Sequence, residues 1–422
     1  MISKKTANHC CVAVAILALI LMWAAAGDAQ TLKVIHNFGG TGDGNNPESP
    51  LLIDGHGNLY GADWAGPTAG GFCQPDFGCG VVFQLTPNVD GSWTENILYN
   101  FNLTGFDGNP EGPLAFDSHG NLYGTANVGG EAAGTVFELT NSNGTWNQTI
   151  LHNFTGGSDG GGPIGLAYNH GQLYGATQDG GTYHSGVVFD LMSVSVRGWY
   201  ELVAHAFGQN NGDSPNGWLM LDSQRSIYGN TLTGGRNGLG SIFRLAPNPL
   251  TFGWTYTDLY DFADGVGGRP VSPNGFLTFD ASGNLYGTTY GGGMNSCTAG
   301  CGTVFKLTPN PNGSWSESVI YAFSGPPDGD HAVGGVTFDA AGNLYGATGS
   351  GGTNDDGMLF RLTFSQGQWR ETWTYSFDFS DGAGPIGGLI SDGAGNLYGV
   401  TGGGGPNGGF GDLGGVAFEI TP

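Results

Sequence analysis

The sequence has few charged residues, and most of those are acidic. Only 11% of the 422 residues are Asp, Glu, Lys or Arg, and 11 basic residues stand against 35 acidic ones, for a net charge of −24 at pH 7. A surface of this sign repels phosphate backbones, so nucleic acid is not an expected partner. The acidity itself is most simply explained by solubility.

Several other patterns are absent. The 83 glycines show no G-X-Y period, which excludes a collagen-like fibre. There is no H-E-x-x-H, G-x-S-x-G or Walker motif and no D-x-D-x-D-G calcium loop. Hydrophobic residues nevertheless reach 39% and recur in order, which argues against disorder. A chain rich in glycine and aromatic residues but poor in charge is expected to form many short strands joined by tight turns.

Residues 1–29 have the features of a secretory signal peptide. Lys4 and Lys5 precede the apolar run from Val12 to Trp23, which is short for a membrane span, and small residues up to Ala29 suit cleavage. We therefore expect export, either to the periplasm or out of the cell. No membrane span is expected in the mature chain.

The segment G-N-L-Y-G recurs seven times with little change. The apolar residue before its tyrosine is Leu59, Leu122, Leu173, Ile227, Leu285, Leu344 and Leu397. The interval between copies runs from 51 residues (Leu122 to Leu173) to 63 residues (Leu59 to Leu122). This interval suits one four-stranded blade per copy, so the repeat predicts an all-β fold, a seven-bladed β-propeller.

Alternation and turn residues predict the four strands of one copy. In the fifth copy they are expected at 275–279, 285–288, 303–307 and 315–323, with turns rich in Gly, Asn and Asp between them.

The two ends of the sequence complement each other. Residues 34–38 have the pattern of a fourth strand without the three strands that should precede it, and residues 414–420 have the pattern of a third strand shortly before Pro422. We therefore expect residues 30–38 to be the fourth strand of the last blade. Residues 30–422 would then form one closed ring of blades with four antiparallel strands each, which leaves no open sheet edge.

The pattern G-N-L-Y-G-T…G-G…G-x-V-F-x-L-T-P resembles the GloVer tandem repeat of secreted bacterial proteins, often called choice-of-anchor proteins. It is also similar, more loosely, to NHL-type propellers. The resemblance covers essentially all of the mature chain and implies an exported propeller, but it implies no particular activity. No apolar tail or sorting signal follows the last blade, so a surface anchor is not expected.

Residues repeated in nearly every blade are best explained as scaffold. A flat ring recurs near the end of each fourth strand, as histidine at His36, His152 and His205, and packing is the favoured explanation. Six aspartates begin the turn between the first and second strands of a blade, and six tryptophans follow the turn between the third and fourth strands. Both sets are expected to be structural.

The loops between blades and the glycine-rich loops between second and third strands should share one face. The loops between blades carry the D-G-x-x-P aspartates Asp43, Asp107, Asp159, Asp264, Asp328 and Asp381, with Asp213 slightly shifted. These side chains would either close turns or form an acidic ring around the central opening that binds Ca²⁺. No other cofactor is expected.

The glycine-rich loops differ between blades, and variable loops on a rigid scaffold are the usual seat of function. The candidate ligand-binding residues in them are Trp64, Phe72, Phe77, Tyr183, His184, Arg236, Tyr290, Asp355 and Asp356. Exposed aromatic rings among polar residues suit polysaccharide, although such rings also pack beneath long loops. The expected function is a monomeric, non-catalytic binding or scaffold module for polysaccharide or a cell-surface protein. The alternative is a carbohydrate hydrolase or lyase that uses carboxylates of this face.

Four cysteines follow the signal peptide. Cys79 and Cys301 each sit just before a third strand, in the same loop of the first and fifth blades. The pairings Cys73–Cys79 and Cys297–Cys301 are therefore expected, because the other two arrangements would join blades that the ring holds apart.

Overall fold

The computed structural model describes residues 31–66, 79–101, 107–130, 133–194, 198–208, 210–251, 253–263, 271–294, 296–408 and 414–421. Regular structure in these ranges consists of strands that form seven antiparallel sheets, so the predicted seven-bladed propeller is confirmed. No helix in the described ranges is long and apolar enough to cross a membrane. The predicted signal peptide lies outside them.

Each blade has four strands in chain order across the sheet, and in blades 1, 4 and 5 the first strand is split in two. Blade 1 comprises Asn45–Pro47 with Leu52–Ile53, Leu59–Ala65, Val81–Pro87 and Trp93–Asn100. Blade 2 comprises Asp107–Phe116, Leu122–Gly129, Thr135–Ser142 and Thr145–Asn153. Blade 3 comprises Gly161–Asn169, Gln172–Asp179, Val187–Val194 and Gly198–Ala206. Blade 4 comprises Asp213–Pro215 with Met220–Leu221, Ile227–Thr233, Ser241–Asn248 and Gly253–Asp261.

The remaining blades follow the same plan. Blade 5 comprises Val271–Pro273 with Thr278–Phe279, Leu285–Gly291, Thr303–Pro309 and Trp315–Ala322. Blade 6 comprises Gly329–Phe338, Leu344–Gly351, Met358–Ser365 and Gln368–Ser376. Blade 7 comprises Ala383–Ser391, Leu397–Gly403, Val416–Thr421 and, from the other end of the chain, Thr31–Asn37.

The N-terminal strand closes the ring as predicted. Thr31–Asn37 pairs antiparallel with Val416–Thr421, from Thr31 opposite Thr421 to Asn37 opposite Val416. The register shifts between Val34 and His36, and blade 2 has the same irregularity between Ile150 and His152. A strand from the far end of the sequence therefore reproduces the geometry of an ordinary fourth strand.

Contact between a glycine and a phenylalanine on neighbouring strands explains why both residues recur in every copy of the repeat. A Cβ on Gly287, the last glycine of G-N-L-Y-G, would lie 2.7 Å from Cζ of Phe305 on the third strand. All seven blades repeat this contact, from Gly61 on Phe83 to Gly399 on Phe418. The second strand needs glycine here because the phenylalanine ring occupies the space of a side chain.

A second phenylalanine connects each blade to the next. Phe38, which follows the fourth strand of blade 7, is fully buried and packs on Phe83 of blade 1 with ring centroids 5.0 Å apart. Equivalent pairs occur at every junction, including Phe262 on Phe305 at 5.3 Å. These buried aromatic pairs form the core between blades and fix each fourth strand to its neighbouring sheet.

The asparagine of G-N-L-Y-G stabilises the turn between the first and second strands. In blade 5 the Asp280 carboxylate accepts hydrogen bonds from the backbone N–H of Ser282 and Asn284, at 2.8 and 2.9 Å, and from the Asn284 amide. Burial raises the pKa of Asp280, but these hydrogen bonds outweigh that effect and lower it. The hairpin aspartates are thus turn residues, as the sequence predicts.

Cys297 and Cys301 form the predicted disulfide in the glycine-rich loop of blade 5, with Cα atoms 5.2 Å apart. Cys301 is buried and packs with the core beside Phe323. Cys79 also belongs to a disulfide, whereas its predicted partner Cys73 lies outside the described residues. Disulfides of this kind persist in oxidising compartments.

Loss of the Cys297–Cys301 disulfide is expected to weaken the fold moderately. The Cys297–Cys301 bond closes a loop with a sequence separation of 4, and the chain-entropy relation assigns such a loop about 2 kcal/mol. The double variant C297A/C301A should therefore unfold cooperatively at a moderately lower guanidinium concentration than the wild type. A variant that is unfolded at room temperature would show that the disulfide, and not the blade core, maintains this part of the ring.

Candidate functional site

The junctions between blades repeat one polar arrangement. The flat ring near the end of a fourth strand meets the aspartate of the following loop: His36 Nε2 lies 3.1 Å from Asp43 Oδ2, and the Tyr321 hydroxyl lies 3.4 Å from Asp328 Oδ1. The same aspartates accept backbone hydrogen bonds within their own loops, such as Ser324 N–H to Asp328 at 2.9 Å. They act as turn residues, which is one of the two roles the sequence allowed.

The D-G-x-x-P aspartates are thus divided among separate junctions. Asp43, Asp159, Asp328 and Asp381 each contact the fourth strand of the preceding blade, which is the outer strand of its sheet. Asp264 and the side chain of Asp107 lie outside what the structure describes. In the described ranges, only Asp43 of this set belongs to a group of three potential metal ligands, together with His36 and Glu95.

The loop residues singled out from the sequence fall into separate places. Trp64 lies in a second strand and is half-buried. Tyr290 stacks on His331 with ring centroids 4.0 Å apart, and Asp355 accepts a hydrogen bond from the Gly351 backbone at 2.9 Å. Burial and the charge of Asp355 raise the pKa of its neighbour Asp356. Phe72 and Phe77 lie outside the described residues.

Arg236 borders a small cleft of about 310 Å³ in blade 4. Its Nε lies 3.2 Å from Asp261 Oδ2, and its side chain is 77% exposed. Burial, followed by the hydrogen bond and charge of Asp261, raises the pKa of Asp258 to about 7. Because the guanidinium is already paired with a carboxylate, this cleft offers little unsatisfied charge to an anionic ligand.

Tyr183 and His184 are the predicted residues that the structure brings together in a cleft. The cleft lies between the glycine-rich loop of blade 3 and the connection to blade 4 and has a volume of about 690 Å³. Its lining is Tyr183, His184, Ser185, Gly208, Asn210, Asn211 and Asp213. The Tyr183 ring is 65% exposed, and a Cβ on Gly208 would lie 3.2 Å from it. The ring therefore lies beside bare backbone with much of its surface open.

The blade 3–blade 4 junction fixes Asn211 at the edge of this cleft. The Asn211 side-chain amide nitrogen lies 3.1 Å from His205 Nε2, and the Asn211 backbone carbonyl accepts a hydrogen bond from the Tyr256 hydroxyl at 2.8 Å. His205 in turn stacks on Tyr256 at 4.1 Å. Burial lowers the pKa of His205 to about 4, so its ring is neutral near pH 7 and Nε2 can accept the amide hydrogen.

Sequence reasoning passed over Asn210 and Asn211, although a signal for them existed. The connection at 208–215 departs from D-G-x-x-P, since Asp213 is displaced and Asn211 contacts the junction ring where other blades use aspartate. The fourth strand of blade 4 carries Tyr256 at the position where blades 1, 3, 5 and 6 carry glutamate. This junction is therefore the neutral variant of an otherwise acidic arrangement.

The junction between blades 7 and 1, in contrast, is strongly acidic. Asp63 lies in the second strand of blade 1, is fully buried, and has no hydrogen-bond partner for either carboxyl oxygen among the described residues. Burial, reinforced by the charges of Asp43 and Glu95, raises the pKa of Asp63 well above its usual range. Burial also raises the pKa of Glu95, to about 9, with a further contribution from Asp43. Sequence analysis did not single out either Asp63 or Glu95.

Comparison with known families identifies the chain's relatives. The family model of the Gloeobacter/Verrucomicrobia repeat matches three times, at residues 20–189, 132–310 and 294–422, and so spans all seven blades. The chain belongs to this family. The resemblance inferred from the repeat pattern is therefore confirmed for the Gloeobacter/Verrucomicrobia repeat, which carries no stated activity.

Solved structures similar to this member of the family share little sequence with it. A protein from Lactobacillus plantarum has a TM-score of 0.51 and 14% identity, over 76% of this chain and 84% of its own. A candidate 6-phosphogluconolactonase from Bacteroides uniformis has a TM-score of 0.50 and 15% identity, over 75% of this chain and 84% of its own. At these identities the similarity concerns the fold alone. No curated protein matches the sequence.

Proposed function

We propose that the protein is an exported, non-catalytic propeller that binds carbohydrate in the cleft between blades 3 and 4. The observation that carries this proposal is the exposed Tyr183 ring at a cleft lined by hydroxyl, amide, imidazole and carboxylate groups. The apolar C–H face of a sugar ring packs on an aromatic ring while its hydroxyls need donors and acceptors around the edge. The cleft supplies both, and its volume lies in the usual range for ligand sites.

The rigidity of the cleft supports binding. Asn211 is held by His205 and by Tyr256, so its side chain need not be ordered when a ligand arrives. Pre-organised polar groups reduce the entropic cost of association. The protein's acidity fits a neutral polysaccharide better than an anionic one, because a net charge of −24 opposes the approach of anions.

Export completes the proposal. The signal peptide expected at residues 1–29 would deliver the chain to a compartment in which its disulfides persist. There it would meet cell-surface or environmental polysaccharide.

The variant Tyr183→Ala is expected to reduce affinity for the strongest-binding glycan of a glycan array about 5-fold or more, because one stacked aromatic contact of this kind is worth about 1 kcal/mol or more. The measurement is isothermal titration of the mature protein with that oligosaccharide. Tyr200→Ala is the matched control, since Tyr200 is 57% exposed on a fourth strand but does not line the cleft.

Two results would contradict this function. One is an array and envelope pull-downs without any bound glycan. The other is release of smaller sugars from a bound polysaccharide with loss of that turnover in Asp355→Ala or Asp356→Ala, which would favour the hydrolase or lyase alternative.

A further inference from the structure

Three side chains that can bind a metal converge at the junction of blades 7 and 1. His36 Nε2 lies 3.1 Å from Asp43 Oδ2 and 3.9 Å from Glu95 Oε1. One ligand atom from each of these three residues lies within 4.8 Å of the other two. Their side chains are 9–19% exposed, so the group is mostly buried but can still be reached from solvent.

The carboxyl of Asp63 lies beside this group. Its Oδ2 would lie 1.6 Å from a Cβ on Gly44, so the carboxyl presses against the residue that follows Asp43. It is fully buried, and neither of its oxygens has a hydrogen-bond partner in the described part of the chain. Glu95 Oε1 is buried as well and accepts no hydrogen bond from the described residues. Buried carboxylates without partners destabilise a fold, and a bound cation would both neutralise and coordinate them.

Comparison with the other blades shows that the scaffold does not need Asp63. The equivalent residue is alanine in blade 2 and threonine in the remaining five: Thr177, Thr231, Thr289, Thr348 and Thr401. There the hydroxyl is satisfied locally, as in Thr177, which accepts from Val187 N–H at 3.1 Å and donates to the Asp179 carbonyl at 2.9 Å. The Asp63 carboxyl lacks such partners, so it does not replace the threonine in stabilising the strand.

We propose that His36, Asp43, Asp63 and Glu95 bind one divalent transition-metal ion, Mn²⁺ or Zn²⁺. An imidazole with three carboxylates suits these ions, whereas Ca²⁺ prefers a shell of oxygen ligands alone. The ion would connect the strand that closes the ring, through His36, to two strands of blade 1, through Asp63 and Glu95. It would thus reinforce the point at which the two ends of the propeller meet.

The junction of blades 2 and 3 provides an internal control. His152, Asp159 and Glu201 repeat the first three positions, but His152 Nε2 lies 3.7 Å from Asp159 Oδ2 and the fourth position is Thr177. The variants His152→Tyr and Glu201→Gln should therefore leave metal binding at the other junction unchanged.

The test is isothermal titration of the chelator-treated mature protein with MnCl₂, ZnCl₂ and CaCl₂. We expect one Mn²⁺ or Zn²⁺ per chain, and at least about a 100-fold loss of affinity in Asp63→Thr, because even the hydrogen-bond partners of metal ligands are worth about 10- to 100-fold in affinity. Glu95→Gln, which introduces the residue that blade 2 has at Gln148, should also weaken binding. Without metal, Asp63→Thr should melt at the same temperature as the wild type or higher, which separates loss of the site from loss of the fold.

Three results would overturn the proposal. These are wild-type protein that binds neither Mn²⁺ nor Zn²⁺, equal affinity in wild type and Asp63→Thr, and tighter binding of Ca²⁺ than of either transition metal.

Discussion

Removal of residues 31–37 is expected to cost the mature protein on the order of 5 kcal/mol of unfolding free energy and to cause aggregation. The strand contributes six ladder pairs with Val416–Thr421 and buries Ile35. Backbone hydrogen bonds are worth about 1 kcal/mol each and a buried isoleucine about 2 kcal/mol. Such a loss is comparable to the whole stability of many domains, and the exposed third strand would offer an edge to other molecules.

Denaturant unfolding and light scattering of the truncated protein measure both effects. A synthetic peptide of residues 31–37 added in trans provides the control, because it should pair with the open edge and increase stability as its concentration rises. A truncated protein that unfolds at the same guanidinium concentration as the full mature chain would show that the N-terminal strand does not close the ring.

Gly275→Ala is expected to lower the unfolding free energy by about 3 kcal/mol. A Cβ on Gly275 would lie 2.1 Å from the backbone nitrogen of Gly335 in the next blade, and its φ is +108°. A positive φ costs an L-residue about 1–2 kcal/mol, and overpacking adds about 1–3 kcal/mol. The Gly275 carbonyl also accepts a hydrogen bond from the Asn230 amide at 2.7 Å, so a shift here disturbs both neighbouring blades.

Gly393→Ala is the matched control for this variant. Gly393 lies in the first hairpin of blade 7, where a Cβ would meet nothing within 4 Å and φ is not positive. Its replacement should change the guanidinium midpoint little, whereas a similar effect of both substitutions would show that the inner strands are not closely packed.

The sequence was sufficient for the blade count and the closure because both depend on repetition. Seven copies of G-N-L-Y-G and two complementary ends leave few alternatives. Strand bounds were less accurate at the inner strands. The first strand of blade 5 was expected at 275–279, but the structure has Val271–Pro273 and Thr278–Phe279 with Gly275 between them. The backbone contact of Gly275 with Gly335 that accompanies this break lies in another blade and leaves no local pattern.

The candidate sites were harder to predict because they consist of departures from the repeat. Tyr183 was visible as an aromatic residue in a variable loop, but Asn211 gains meaning only from its contacts with His205 and Tyr256. Asp63 replaces a threonine in one blade of seven, and its neighbours Asp43 and Glu95 are 20 and 32 residues away in sequence (63 − 43 and 95 − 63). Residues repeated in every blade maintain the scaffold, whereas residues that depart from the repeat form the candidate sites.

Hydrogen–deuterium exchange of the mature protein, with and without the strongest-binding oligosaccharide of the glycan array, tests the proposed function most directly. We expect slower exchange in the two segments that form the blade 3–blade 4 cleft, 181–186 and 210–213, and a smaller change in the Tyr183→Ala variant at the same oligosaccharide concentration. Protection confined to other loops, such as 351–357 of blade 6, would contradict the assignment of the binding site to this cleft.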